Sequence, residues 1–247
     1  MPAAIVYMIK VTYLDHSGFV LSAPDTILVF DYYRDPSHAL QRILHGNPSL
    51  PVVFFVSHHH RDHFNPGIFE IAQNHERTYV LSDDVAQRYV PSTLRTAGLS
   101  AGDVVENIYG IRRIKAYGST DAGVSFLVEL ADGKSVFHGG DLNLWHWKEE
   151  STDEEVRQAA DAYYKELRRI SSEVRYVDIA MLAVDPRLGA DYAVGAKEFL
   201  KEVKVKYFFP MHFDGQYKEV CGFVGGMDAS VTSVHCLRSP GESVDVD

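Results

Sequence analysis

Between Ser57 and His63 the chain reads Ser-His-His-His-Arg-Asp-His, a concentration of nitrogen and oxygen donors able to hold a cation. The run in front of it, Pro51–Val56, is apolar and reads as a buried strand. Residues leaving a strand end point alternately to its two sides, so His58 and His60 face one way and His59 the other. Two imidazoles can grip one ion. Asp62 and His63 follow as the chain bends toward a helix, adding an oxygen and a nitrogen beside that pair. Such a mixed N/O set suits Zn2+, with Mn2+ or Fe2+ as alternatives, and a second cation fits next to the first. A solvated polar loop or a tag-like histidine run would carry no chemistry, but a tag sits at a terminus without a strand before it.

Two further segments could shape a pocket around such a centre. Trp145-His146-Trp147 precedes a long amphipathic helix, and its two large rings form either a wall beside the metal or packing against that helix. Asp185-Pro186-Arg187 follows an apolar run, and Arg187 either grips a substrate carboxylate or phosphate bidentately or closes a turn on Asp185. His138 reads as a satisfied core histidine. His38, His45, His75 and His235 have no partner pattern and carry no functional expectation.

The elements that must position these groups alternate between β and α patterns. Apolar runs at Ile5–Leu14, Phe19–Leu21 and Ile27–Phe30, punctuated by Gly18 and Pro24, predict an opening β-meander. Asp35-Pro36 predicts a helix start, with Ala39, Leu40, Ile43 and Leu44 on one face up to Gly46, and Asn65-Pro66 predicts another helix carrying Ile68, Phe69 and Ala72. The β pattern returns at Val104–Ile108, Ile111–Ala116, Val124–Leu130 and Val136–His138, with Asp132-Gly133 as a type I′ turn. Ser151 and Glu154 read as a capping box opening a helix through Val156, Ala160, Tyr163, Leu167 and Ile170. A strand at Val177–Val184, a helix at Ala193–Val203 and strands at Tyr207–Phe209 and Val231–Val234 complete the pattern. No linker divides the halves, so residues 1–247 are expected to form one domain with sheets inside and helices outside.

With His58-His59-His60-Arg61-Asp62-His63 in a strand-to-helix loop, the chain resembles the metallo-β-lactamase superfamily and its HxHxDH signature. The likeness extends to Phe30-Asp31, to His138-Gly139-Gly140-Asp141 and to Pro210-Met211-His212-Phe213, so it spans nearly the whole chain. The opening Tyr13-Leu14-Asp15-His16-Ser17-Gly18-Phe19 is most similar to the branch containing ascorbate-6-phosphate lactonase. The resemblance implies a four-layer αββα sandwich, two mixed sheets inside and helices outside. It also implies a binuclear zinc site: His58 and His60 on the first metal, Asp62, His63 and His212 on the second, Asp141 bridging, and Asp31 behind the loop as a hydrogen-bond acceptor. His16 resembles a family position near the metals, and is otherwise a structural residue of a strand turn. One departure stands out, for the family's third histidine on the first metal falls at Gly118 in Ala116-Tyr117-Gly118-Ser119-Thr120-Asp121. Asp121 or Thr120 reaches in, a water fills the place, or only the second metal binds tightly, unless both residues simply cap a turn.

Composition narrows the functional classes. Subtracting 34 Asp+Glu from 24 Lys+Arg leaves a net charge of −10, which argues against nucleic acid as partner. The longest apolar stretches, Ala3–Ile9 and Val52–Val56, fall short of the roughly 20 residues of a membrane span. The first basic residue, Lys10, follows the first apolar stretch, the wrong order for a secretory signal, so a cytoplasmic location is expected. Only Cys221 and Cys236 occur, with no CxxC pair, so neither a disulfide framework nor a thiolate zinc site is expected.

A metal-dependent hydrolase follows from these residues. One or two zinc ions per chain would supply a metal-bound hydroxide, Asp62 would orient it and move its proton, and the target would be an ester, lactone or phosphoester of a small molecule. Trp145, Trp147 and Arg187 suit an anionic or cyclic substrate. The rival reading is a non-catalytic metal-binding regulatory or scaffold protein, favoured by the missing histidine at 118.

Overall fold

The computed structural model describes residues 8–91, 94–224 and 230–247, so Ile5–Tyr7 of the expected opening strand lie outside the described residues. One sheet is built from β1 (Ile9–Asp15), β2 (Gly18–Ser22), β3 (Ile27–Phe30), β4 (Val52–Val56), β5 (Arg77–Ser82), β6 (Thr96–Leu99) and the last strand, β14 (Ser243–Val246). The other holds β7 (Val104–Ile108), β8 (Ile111–Gly118), β9 (Val124–Leu130), β10 (Ser135–His138), β11 (Tyr176–Ala183), β12 (Lys204–Met211) and β13 (Ser233–Val234). The helices are α1 (Ala39–Gly46), α2 (Asp83–Tyr89), α3 (Asp153–Glu173), α4 (Val194–Glu202) and α5 (Tyr217–Val224).

The spatial orders are β14-β1-β2-β3-β4-β5-β6 and β13-β12-β11-β10-β9-β8-β7. Both sheets are mixed. Strands joined by tight turns pair antiparallel, as β1–β2–β3 and β8–β9–β10 do, while β3–β4–β5 and β10–β11–β12, joined by longer crossovers, pair parallel.

Strand β4 shows why the runs are apolar at every position. Val53 and Phe55 point into the cluster between the sheets, and Val52, Phe54 and Val56 into a second cluster with Ala39, Leu40 and Leu44 of α1. Both faces are covered, as a parallel strand requires. On the far side Tyr163, Leu167 and Ile170 of α3 and Phe199 of α4 pack on the second sheet, with the Phe137 and Phe199 rings 5.0 Å apart. The result is the expected αββα layering.

Local chemistry moved several boundaries. α1 begins at Ala39 rather than beside Pro36, because Asp35 reaches forward to accept the Ala39 and Leu40 amides across the intervening turn. The Asn65-Pro66 start yields only a 3-10 turn, Pro66–Phe69, and Ala72 lies beyond it at φ 57. The capping box is Thr152 with Glu155, one residue after the expected pair. Among Asp132 and Gly133 only Gly133 has positive φ, so the β9–β10 turn is not type I′. Elements β5, β6, α2, α5 and β14 were not anticipated: β6 and β14 are short edge strands with exposed positions and no clear alternation.

The cysteine expectation was wrong. Cys221 on α5 and Cys236 after β13 form a disulfide, their Cα atoms 5.6 Å apart across 15 residues. Proximity created by the fold, not spacing, makes the pair, and the cysteine count therefore carries no argument about compartment. No helix among the described residues is long and apolar enough to cross a membrane.

Candidate metal centre

The candidate donors leave strand ends of both sheets at one edge of the sandwich. Asp31 follows β3, the histidine loop follows β4, Asp121 follows β8, Asp141 follows β10 and His212 follows β12, while His16 caps the β1–β2 turn. Three of them hold left-handed backbone, with φ of 52° at His16, 41° at Asp31 and 64° at His212. Non-glycine residues pay conformational strain there, a pattern that concentrates at functional sites. Gly123 (φ 65°) serves the same end, since a Cβ on it would lie 2.0 Å from the Ser57 carbonyl, which instead accepts the Val124 amide at 2.9 Å. The turn after β8 is thereby pulled against the histidine loop.

Around the Asp141 carboxylate three ring nitrogens converge. His58 Nε2 lies 3.3 Å from Oδ2, and His63 Nε2 and His212 Nε2 lie 3.0 and 3.3 Å from Oδ1. All three nitrogens are buried, and none has the alignment of a hydrogen bond. Their opposite nitrogens are tied down. His63 Nδ1 donates to Asp31 at 2.8 Å, His212 Nδ1 to Asp185 at 2.9 Å, and His58 Nδ1 meets the Ser57 hydroxyl at 3.0 Å. Ser57 in turn donates its amide and hydroxyl to Asp31 at 2.7 and 2.6 Å. A proton fixed on each Nδ1 leaves the Nε2 lone pair aimed inward, the arrangement that orients metal-ligating histidines.

Two donor groups share this space. His16, Asp62, His63 and His212 form one and His58, His60, Asp121 and Asp141 the other, each with its donor atoms within 4.8 Å of one another. Orphaned buried imidazole nitrogens beside carboxylates fit divalent metal ions. The electrostatics agree. Burial would depress the His63 imidazolium, yet Asp141 and Asp31 push it up to about 10. Burial would raise the Asp141 carboxyl, but His63, His58 and His212 hold it well below the usual range. The pocket stabilises a cation, and in its absence takes a proton. His16, 3.4 Å from Asp62, is lowered by burial and held neutral, while Asp62 is pulled below the usual carboxylate range chiefly by that His16 contact.

The expected residues fall into place unevenly. Asp31 accepts hydrogen bonds behind the loop, as read from the resemblance, and Asp121 stands 3.6 Å from His60 Nδ1. Thr120 does not reach in: its hydroxyl donates to the Asp141 and Asn143 carbonyls. Gly118 has no positive φ, and its obstacle is Glu166 of α3, whose carboxylate accepts the Gly118 amide and would lie 2.9 Å from any Cβ. His146 is not a pocket residue, being turned away to Asp191 at 3.3 Å. Asp185 is fully buried beneath His212, its carboxyl at about 2 because His212 and Arg187 overcome the effect of burial. Arg187 makes the turn contact with Asp185 and also lines the cleft.

That cleft measures about 200 Å3 and opens over Asp62, Asp121 and Asp141, with Trp145 and Trp147 forming a wall. The two indoles are nearly parallel, 15° apart, and Trp145 Nε1 donates to the Asp141 carbonyl at 2.7 Å. Sequence reasoning missed that last bond and missed Asp84, which accepts both the amide and the ring of His59 at 3.1 and 2.6 Å and so anchors the loop from outside. An Asp opening a helix is a recognisable signal, but α2 itself was not anticipated.

A profile of the beta-lactamase superfamily domain matches residues 10–212, from β1 to the last histidine of the centre. The chain belongs to that superfamily. Among superfamily members, it is 24% identical to a UPF0173 metal-dependent hydrolase of Korarchaeum cryptofilum, over 97% of this chain and 100% of that one. It is 27% identical to a protein of the same name from Opitutus terrae, over 96% and 100%. Igni18, described as a novel metallo hydrolase from Ignicoccus hospitalis, superposes with a TM-score of 0.69 at 17% identity, covering 97% of this chain and 99% of that one.

Proposed function

We propose that the chain is a metal-dependent hydrolase with a binuclear centre at Asp141, acting on an ester, lactone or phosphoester of a small molecule. The convergence of His58, His63 and His212 Nε2 on one buried carboxylate, without hydrogen bonds of their own, carries this reading. The names of the full-length relatives support it.

His58, His60, Asp121 and Asp141 would hold one ion, and His16, Asp62, His63, His212 and the shared Asp141 the other. Zinc or a similar ion held there would supply a water acidified from 15.7 toward about 7 and Lewis acidity toward the bond under attack. The chain's own groups do the rest. Asp62 stays ionised at neutral pH and lines the cleft, placed to orient the attacking water and accept its proton. Arg187, tethered through Asp185 and half exposed, presents positive charge to a carboxylate or phosphate. The Trp145 and Trp147 faces bound one side and exclude water from the reacting bond, suiting a compact cyclic or anionic substrate. The carboxylate beside His60, where an imidazole at 118 is missing, favours this reading over the scaffold one.

A screen of lactones, carboxylic esters, thioesters and phosphodiesters with metal-loaded protein tests the proposal. Turnover that falls at least a hundredfold in Asp62→Asn is expected, and metal binding without turnover across the screen would overturn it.

A further inference from the structure

The two donor groups differ in kind. The group around His212 offers three imidazoles, from His16, His63 and His212, with Asp62, and Asp141 stands 3.0 and 3.3 Å from His63 and His212. The group around His60 offers only two, from His58 and His60, with Asp121 and Asp141. Solvent access differs as well. The second group has one exposed side chain, Asp62 at 46%, against two in the first, His60 at 42% and Asp121 at 52%.

Asp121 is held in place by the fold. Glu166 fills the space that a side chain at 118 would need and accepts that residue's amide at 2.7 Å, which closes the earlier position. Two residues on, the Thr120 hydroxyl pins the turn to the Asp141 and Asn143 carbonyls. Gly123 presses the far end of the turn onto Ser57. Between these anchors the Asp121 carboxylate projects toward His60, beside the orphaned and fully buried His58 Nε2.

We propose that Asp121 completes the first site and makes the centre heterometallic, with Zn2+ in the nitrogen-rich second site and Mn2+ or Fe2+ in the first. This inference rests on the metal-dependent reading above and deepens it. Imidazole donors suit zinc, carboxylate and water oxygens suit manganese, and two histidines with one carboxylate and open positions are a set that takes ferrous iron. Half-exposed His60 and Asp121 leave room for water ligands, so the first site can reach six-coordination. The second site, with three buried imidazoles and a half-exposed Asp62, has protein donors enough without them. The preference is relative: zinc binds most nitrogen–oxygen sites more tightly than manganese, so the two ions separate only when zinc is limiting.

The test uses the full chain, stripped with chelator and then equilibrated with one equivalent of Zn2+ and excess Mn2+. Elemental analysis should give one zinc and one manganese per chain. Anomalous diffraction should place zinc among His16, Asp62, His63 and His212, and manganese beside Asp121. The Asp121→Ala and Asp121→Asn variants, altered at a half-exposed side chain, should bind Mn2+ at least tenfold more weakly by electron paramagnetic resonance titration while retaining the zinc. Asp121→His should make the first site take a second equivalent of zinc and release manganese. Zinc beside Asp121 with manganese in the second site, or unchanged Mn2+ affinity in both Asp121 variants, would overturn the inference. Because every readout is metal content, a protein lacking turnover but holding one ion of each kind fails only the hydrolase reading. Turnover with zinc in both sites under these conditions fails only this one.

Discussion

Asp31→Asn removes a single charge from beneath the histidine loop and should disable the second metal site through a change of tautomer. The Asp31 carboxylate accepts the Ser57 amide at 2.7 Å, the Ser57 hydroxyl at 2.6 Å and His63 Nδ1 at 2.8 Å, all in a fully buried setting. An asparagine must keep its oxygen toward the Ser57 amide, which turns its NH2 toward the Ser57 hydroxyl and His63. His63 then accepts at Nδ1 and carries its proton on Nε2, the atom that faces Asp141 3.0 Å away and would otherwise bind the ion. Disturbing such an outer partner costs 10- to 100-fold in metal affinity, and a forced tautomer change should reach the upper end, about 100-fold or about 3 kcal/mol. Stability of the metal-free chain should fall by about 2–4 kcal/mol, since hydrogen bonds to a charged group are each worth about 1.5–3 kcal/mol and one is retained in neutral form. Chelator competition reads the affinity, chemical denaturation the stability, and histidine nitrogen NMR shifts the tautomer. Unchanged zinc affinity at the second site, with His63 still protonated on Nδ1, would refute the reasoning.

Three further expectations follow from single contacts. Trp145→Phe keeps a ring in the wall but deletes the bond to the Asp141 carbonyl, so stability should drop by about 1 kcal/mol with little change in KM for a cyclic substrate; a large KM rise would make the indole N–H a substrate contact. Gly123→Ala forces a Cβ onto the Ser57 carbonyl at positive φ, and should cost more than about 2 kcal/mol in denaturant titration and release the first-site metal; a neutral outcome would show that the turn is not held against the loop. Burial raises the phenol pKa values of Tyr13, Tyr117 and Tyr163 above the ordinary 10, so the unfolded chain ionises first and stability present below pH 10 is lost as pH rises beyond it. Tyrosinate absorbance should therefore rise together with cooperative unfolding, and smooth ionisation of these rings in a folded chain would contradict that.

The parts of the centre built from adjacent residues were legible in the sequence; those built by the fold were not. His58, His60, Asp62 and His63 announce themselves because a strand end and a bend set their directions, and the strand is apolar throughout because both faces are covered. Asp31, Asp141 and His212 needed the family likeness, since each is a lone polar residue after an apolar run. The Glu166 carboxylate against Gly118, the Asp84 clamp on His59 and the Cys221–Cys236 bond join residues 15 to 48 positions apart, and no local pattern encodes them. His146 belongs to a segment expected to shape the pocket, but its ring is buried 3.3 Å from Asp191, a partner 45 positions away that no local pattern announces.

The central claim is that this edge of the sandwich is a metal centre organised by Asp141. Anomalous diffraction from crystals of the metal-loaded protein tests it most directly. Two peaks are predicted on either side of the Asp141 carboxylate, one within bonding distance of His63 and His212 Nε2 and the other of His58 Nε2. Well-ordered crystals grown with metal that show no anomalous density between these nitrogens, with His63 still paired to Asp141, would contradict it.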